Sequence, residues 1–230
     1  MQILTPTGRP GFHVRPTLPK QCWGFVIGSA CFAIGSAPGL TGLLGSAGAN
    51  LVFFVGSWFF TAAALIQLLL SGPMTTDVDG AQLVRAEWLS SAVQFFGTLL
   101  FNVSTGAALR AHTIAAEKHF VWNPDAAGSV AFLLSGVLAV IAYSHVARMW
   151  EPGSRDWWAM WINMAGSVAF GISAVGAYIT AAGTAESDFW SNAGTFAGAL
   201  CFLVAALLSL PRSSTTNLAP ADPVTAEPAG

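Results

Sequence analysis

Charge is what this sequence has least of. Only 9% of its 230 residues are Asp, Glu, Lys or Arg, whereas 54% are hydrophobic. A soluble domain carries roughly 25% charged residues. No charge falls between Lys20 and Asp77, Glu87 and Arg110, Asp156 and Glu186, or Asp188 and Arg212. Each run can supply the roughly 20 residues that cross a bilayer as helix, and the first can supply two such spans. So few charges could not cover so much apolar surface in water. The composition therefore predicts an all-α, polytopic integral membrane protein of the cell membrane, with the lipid bilayer as its first partner.

Other absences narrow the function. Cys22, Cys31 and Cys201 show no C-x-x-C spacing and lie in or beside apolar segments, as small buried hydrophobes do. A net charge of −2 points to no nucleic-acid partner. No H-E-x-x-H, G-x-S-x-G or P-loop pattern occurs, so no catalytic residue and no cofactor is expected, and the chain reads as a non-enzyme. His112 and His119 are too far apart to share one metal even on a helix, and Asp77 and Asp79 lack the further acids of a calcium loop. No metal site is expected. No ionisable residue stands at mid-depth in the apolar runs, which argues against a proton relay or ion pump.

What the sequence does hold is a phrase, Gly-small-x-x-Phe, once in each of six apolar segments. It begins at Gly28, Gly56, Gly97, Gly128, Gly166 and Gly198 and ends at Phe32, Phe60, Phe101, Phe132, Phe170 and Phe202. The odd-numbered copies recur every 69 residues, and the even-numbered ones after 72 and 70. This spacing predicts three tandem, parallel two-helix hairpins, at residues 22–70, 88–145 and 157–210. Six transmembrane helices are expected at about 22–37, 50–70, 88–109, 126–145, 157–181 and 189–210. Pro38-Gly39, Ser71-Gly72-Pro73, Glu151-Pro152-Gly153 and Pro211 punctuate them.

Arg9, Arg15 and Lys20 before a short apolar core resemble a cleaved signal peptide, but loss of the first helix would break the first hairpin, so retention is expected. Residues 211–230, rich in Pro, Ala, Ser and Thr, read as a disordered tail. Alternate connections divide Lys and Arg seven to two: Arg9, Arg15, Lys20, Arg85, Arg148, Arg155 and Arg212 against Arg110 and Lys118. Both termini, segment 1–21 and the tail, are therefore expected in the cytoplasm.

Close approach through small residues must hold helices together in lipid, where the hydrophobic effect no longer does so. In the odd helices a second small residue follows seven positions on, pairing Gly28 with Gly35, Gly97 with Ser104 and Gly166 with Ser173. Residues at i, i+4 and i+7 share a helical face. Each phrase thus reads as a glycine notch beside a phenylalanine knob, and six copies predict helices packed by one rule about a pseudo-threefold axis. Asn50, Asn123 and Asn192, five or six residues before the even phrases, read as N-caps.

The hairpins resemble the YrhK-like domain, a small two-helix membrane unit of bacterial proteins. The likeness is carried by Phe25-Val26-Ile27-Gly28-Ser29-Ala30-Cys31-Phe32-Ala33-Ile34-Gly35-Ser36 and Phe53-Phe54-Val55-Gly56-Ser57-Trp58-Phe59-Phe60. It covers residues 22–70; the later hairpins depart from it at Ser104-Thr105 and Ala199. The resemblance implies architecture and no mechanism.

Two functions follow. The leading expectation is a structural or accessory protein acting through its helices on a membrane-protein partner or as a homo-oligomer. The alternative is a facilitative transporter or channel for a small neutral solute. Asn102, Gln94 and Asn163, polar residues at lipid depth, discriminate between them. Pairing with neighbouring helices favours the first, and convergence on a cavity favours the second.

Overall fold

The uncharged runs fold as long helices, and a computed structural model describes residues 15–212, apart from the side chain of Thr41. Helix α1 spans Leu18–Ser36 and α2 spans Leu40–Leu70. After a β-ribbon, α3 covers Ala86–Ala108. A short helix, α4 (Ile114–Ala116), passes through a π-helical turn, Glu117–Trp122, into α5 (Asn123–Val146). Helices α6 (Arg155–Gly176) and α7 (Asp188–Leu208) follow. Four segments, Gly42–Leu70, Ile114–Val146, Arg155–Gly176 and Asp188–Leu208, are long and apolar enough to cross a membrane.

The long helices form a ring in chain order. Each packs on its predecessor and successor, and α7 closes on α1; contact is most extensive within the pairs α1/α2, α3/α5 and α6/α7. The surface is inverted relative to a protein in water. Helix α3 buries Ser90, Ser91, Gln94, Thr98, Ser104 and Thr105, and exposes Leu89, Phe96, Leu99 and Val103. Its polar face is turned inward, which lowers its hydropathy without wetting its outer face.

Several expectations are corrected. Helix α2 starts ten residues before Asn50, at Leu40, and kinks at Gly45, whose φ of 68° and ψ of 168° lie outside the helical region. Helix α6 stops at Gly176 rather than near 181, because residues beyond it fold back through an Ile179–Ala185 bridge and the Ser187 amide donates to the Gly176 carbonyl at 2.9 Å. The connection between α2 and α3 is an antiparallel ribbon of β1 (Thr75–Val78) and β2 (Ala81–Val84), turned by Asp79-Gly80 with φ of 53° and 81°. That pairing of positive angles suits a two-residue hairpin turn. The third connection is helical from Ile114 instead of a solvated loop.

None of the three asparagines is an N-cap. Asn50 lies inside α2, where its Nδ2 donates to the Ala108 carbonyl at 3.1 Å. Asn123 is the first residue of α5, and Asn192 lies in the first turns of α7 with its Nδ2 donating to the Asp188 carbonyl. Ser154 and Ser187 cap α6 and α7 instead, accepting from the Trp157 and Trp190 amides. The expected tail lies almost wholly outside the described residues, as does most of segment 1–21.

Candidate functional site

The phrase residues meet inside the ring. A β-carbon added at Gly28 would stand 3.0 Å from the Gly56 carbonyl oxygen, and one at Gly56 would stand 3.1 Å from that of Gly28. Gly198 and Gly166 face each other in the same way, at 3.1 and 3.2 Å, and Gly128 lies 3.1 Å from the Gly97 carbonyl. A β-carbon at Gly97 would meet the Phe132 ring at 2.7 Å, and one at Gly35 the Phe53 ring at 2.7 Å. These glycines let backbones approach more closely than any larger residue allows.

The six phrase phenylalanines are 2–5% exposed and form one cluster. Phe32, Phe101 and Phe170, from the odd helices, form a triangle with ring centroids 6.4, 5.9 and 6.0 Å apart. Phe60, Phe132 and Phe202 make a second level, with Phe202 placed 6.1 Å from Phe60 and 5.6 Å from Phe132. Contacts of 5.3, 5.0 and 5.5 Å join the levels within each helix pair. Most of these pairs are edge-to-face or tilted, the favoured arrangements for aromatic rings. These six rings fill the centre of the helix ring.

Above and below this plug lie two cavities, each lined by all six long helices. The first, about 420 Å³, opens between the starts of α1, α3 and α6 and the ends of α2, α5 and α7. Phe202 contributes to its floor, and Gln21, Gln67, Ser90, Ser91, Gln94 and Asn163 to its walls; Glu87 and Asp156 stand nearer its mouth. The second, about 270 Å³, lies at the opposite helix ends and is floored by Phe32 and Phe170. Asn50, Ser104, Thr105, Ser173 and Thr195 line it with two carboxylates, Glu117 and Asp125. Neither cavity is lined by a lysine or arginine.

A carboxamide chain crosses the first cavity. Gln21 Nε2 donates to Gln67 Oε1 at 3.4 Å, and Gln67 Nε2 donates to Gln94 Oε1 at 3.3 Å. Ser135 Oγ is within donating distance of both Gln94 Oε1, at 3.4 Å, and the Ser90 carbonyl, at 2.9 Å, while Ser90 Oγ donates to the Ser135 carbonyl at 2.9 Å. Gln94 is only 7% exposed, and its Nε2 has no protein acceptor among the described residues. Asn163 lines the same cavity; only its backbone carbonyl, accepting from Ser167 Oγ, is engaged.

Asn102 behaves differently. Its Nδ2 donates to Thr61 Oγ1 on α2 at 2.9 Å, and its Oδ1 is buried without a partner. Of the three discriminating residues, Asn163 lines a cavity, Asn102 pairs with a neighbouring helix, and Gln94 does both. No group of three or more metal-ligating side chains occurs among the described residues.

Sequence reasoning missed the cavities and the acids on them, although a signal was present. Counting three residues back from the odd phrase glycines gives Phe25, Gln94 and Asn163, and all three line the first cavity. Eleven residues beyond the even glycines stand Gln67, Ala139 and Ser209, again all on that cavity. Three before the even glycines stand Phe53, Asp125 and Thr195, all on the second. The chain matches no known protein family, curated protein or solved structure.

Proposed function

We propose that the chain is a cell-membrane protein of six spans with both termini cytoplasmic, and that it passes a small neutral solute along the axis of the ring. One observation carries this reading: two cavities with polar side chains set in mainly apolar walls lie at opposite helix ends, one reaching Phe202 and the other Phe32 and Phe170 of the same phenylalanine cluster. Passage then needs one movement, displacement of that aromatic layer. The lack of a lysine or arginine lining either cavity disfavours anions, and the absence of a charged group at mid-depth disfavours ions generally.

Six spans are supported by α1 and α3, which complete the ring and turn polar residues inward, Ser29 and Ser36 on α1 and Ser90, Ser91, Gln94 and Thr98 on α3, so that their hydropathy is lowered by side chains facing other helices. Three tandem hairpins are supported by the matched glycine contacts and by equivalent positions falling on the same cavity. The likeness to the YrhK-like two-helix unit fits this plan.

The second reading is a structural or accessory protein, working with a membrane-protein partner or as a homo-oligomer. The interlocked plug and the Asn102–Thr61 bond favour it. Reconstitution separates the two. Proteoliposomes holding the full chain should take up urea and glycerol faster than protein-free vesicles in stopped-flow light scattering. Phe101→Ala, which removes one ring from the plug, should raise the rate severalfold. Vesicles containing either protein that match empty ones would leave the structural reading in possession.

A further inference from the structure

We infer that the first cavity is a recognition site for a small, planar, neutral carboxamide or urea. The inference deepens the passage reading and takes from it the reason a solute enters. It starts from a donor that the protein leaves open to the cavity. Gln94 is 93% withdrawn from solvent, its Oε1 is already approached by Gln67 Nε2 and Ser135 Oγ, and its Nε2 has no protein acceptor among the described residues. That N–H is held in place by the bonds to Oε1 and is free on the cavity side, so the site is complementary to a ligand that brings an acceptor oxygen.

The neighbours restrict what that oxygen belongs to. Glu87, paired with Arg85 at 3.5 Å, and Asp156 line the cavity, and no lysine or arginine does, so an anionic carboxylate finds no cation there to hold it. A bare cation has no oxygen for Gln94 and would meet its N–H dipole directly. What remains is a neutral carbonyl or hydroxyl. Asn163, with a side chain making no protein hydrogen bond, presents both an acceptor and donors to the same space. A carbonyl bonded to an N–H₂ answers both residues, its oxygen taking the Gln94 proton and its N–H reaching Asn163 Oδ1. Phe25, the third residue at this position in the three hairpins, supplies an aromatic wall for a flat solute. Two carboxamides and one ring make an asymmetric seat that suits a planar amide better than a flexible polyol.

Acetamide, acetate and ethylammonium are of similar size and differ in charge, and only the first two are planar, so together they test the recognition. With the full-length protein in detergent micelles, ligand-observed saturation-transfer NMR should give a saturable signal for acetamide. Acetate and ethylammonium should give signals at least about fivefold weaker, the ratio expected from one lost hydrogen bond. Gln94→Met should weaken acetamide binding by about fivefold or more. Asn163→Leu removes a side chain with no protein hydrogen bond and keeps the test open should Gln94→Met fold poorly; it should produce a similar loss. Equal signals for the three probes, stronger binding of glycerol than of acetamide, or indifference to both substitutions would overturn the inference. Flux through proteoliposomes is read separately. Saturable, Gln94-dependent binding without flux sustains the site and removes the passage reading, whereas flux without saturable binding overturns the site.

Discussion

A close approach to rigid backbone in the middle of a helix pair gives a sharp test of the packing argument. Gly194 of α7 lies against the backbone of α6: a β-carbon there would stand 2.7 Å from the Ser173 amide nitrogen, 2.8 Å from the Ala169 carbonyl oxygen and 2.9 Å from Ser173 Cα. Nonbonded carbon atoms rest about 3.5–4.0 Å apart. One methyl group therefore has to push α6 and α7 apart by several tenths of an ångström, and helical backbone has no rotamer by which to escape. Overpacking of this kind costs about 1–3 kcal/mol. Lipid offers no hydrophobic return for re-closing the gap.

The same substitution at Gly42 has the opposite sign. Gly42 lies in the first turns of α2, and a β-carbon there meets nothing within 4 Å. Alanine gains about 0.5–1 kcal/mol over glycine in a helix. For a chain of this size 1 kcal/mol moves a melting midpoint by about 2–4 °C. The same helical gain offsets part of the cost at Gly194, so Gly194→Ala should melt up to about 10 °C below the unmodified protein, and Gly42→Ala should hold or rise by up to about 4 °C. Size-exclusion profiles of detergent-purified protein heated in steps read both. A Gly194→Ala midpoint equal to or above that of Gly42→Ala would refute the claim that glycine is required by contact with α6.

Three further outcomes are expected. Gly97→Leu should destabilise by at least about 1–3 kcal/mol because even a β-carbon there would lie 2.7 Å from the Phe132 ring; Leu99→Phe should be tolerated, since Leu99 is 40% exposed on the outer face, and equal tolerance of both would dismiss the notch. Ser29→Ala should stabilise by about 1 kcal/mol or more, because Ser29 Oγ is buried without a partner, whereas Ser57→Ala should destabilise by losing the 3.0 Å bond to Thr105 Oγ1; matched losses would contradict this. Cysteines placed at Leu43 and Thr184, in a background lacking Cys22, Cys31 and Cys201, should react with an impermeant thiol reagent on intact cells; labelling only after permeabilisation would reverse the proposed orientation.

The helical class was readable because long uncharged runs admit few other folds. The phrase residues were readable because glycine notches and phenylalanine knobs recur at one spacing, and spacing survives in sequence. Helix ends were less so. The early start of α2 depends on Gly45 accepting a positive φ, which no apolar pattern announces. The ribbon at 75–84 was signalled by Asp79-Gly80 and lost among the polar residues around it. The asparagine caps failed because a polar residue near a helix start has a second use: Asn50 reaches across to the end of α3. The cavities were hidden for a different reason. A cavity belongs to six helices at once, and each contributes only residues that look unremarkable on their own segment.

The distribution of identical and non-identical residues ties packing to function. At the positions where the odd phrases agree, Phe32, Phe101 and Phe170 form a closed triangle. Three residues earlier the hairpins disagree, and Phe25, Gln94 and Asn163 line an open cavity. Ser135 donates to Gln94, while Ala63 and Ala205, its counterparts seven residues after the even glycines, are buried apolar methyls. Three identical hairpins would place three identical side chains about the axis, and a small solute on such an axis can satisfy all three only by being threefold itself. Joining the hairpins in one chain releases each position to differ. The residues that close the axis are alike, and a close-packed plug tolerates little variation in volume. Those at the cavity position are two carboxamides, Gln94 and Asn163, and one ring, Phe25, an arrangement that suits the proposed planar solute without threefold symmetry.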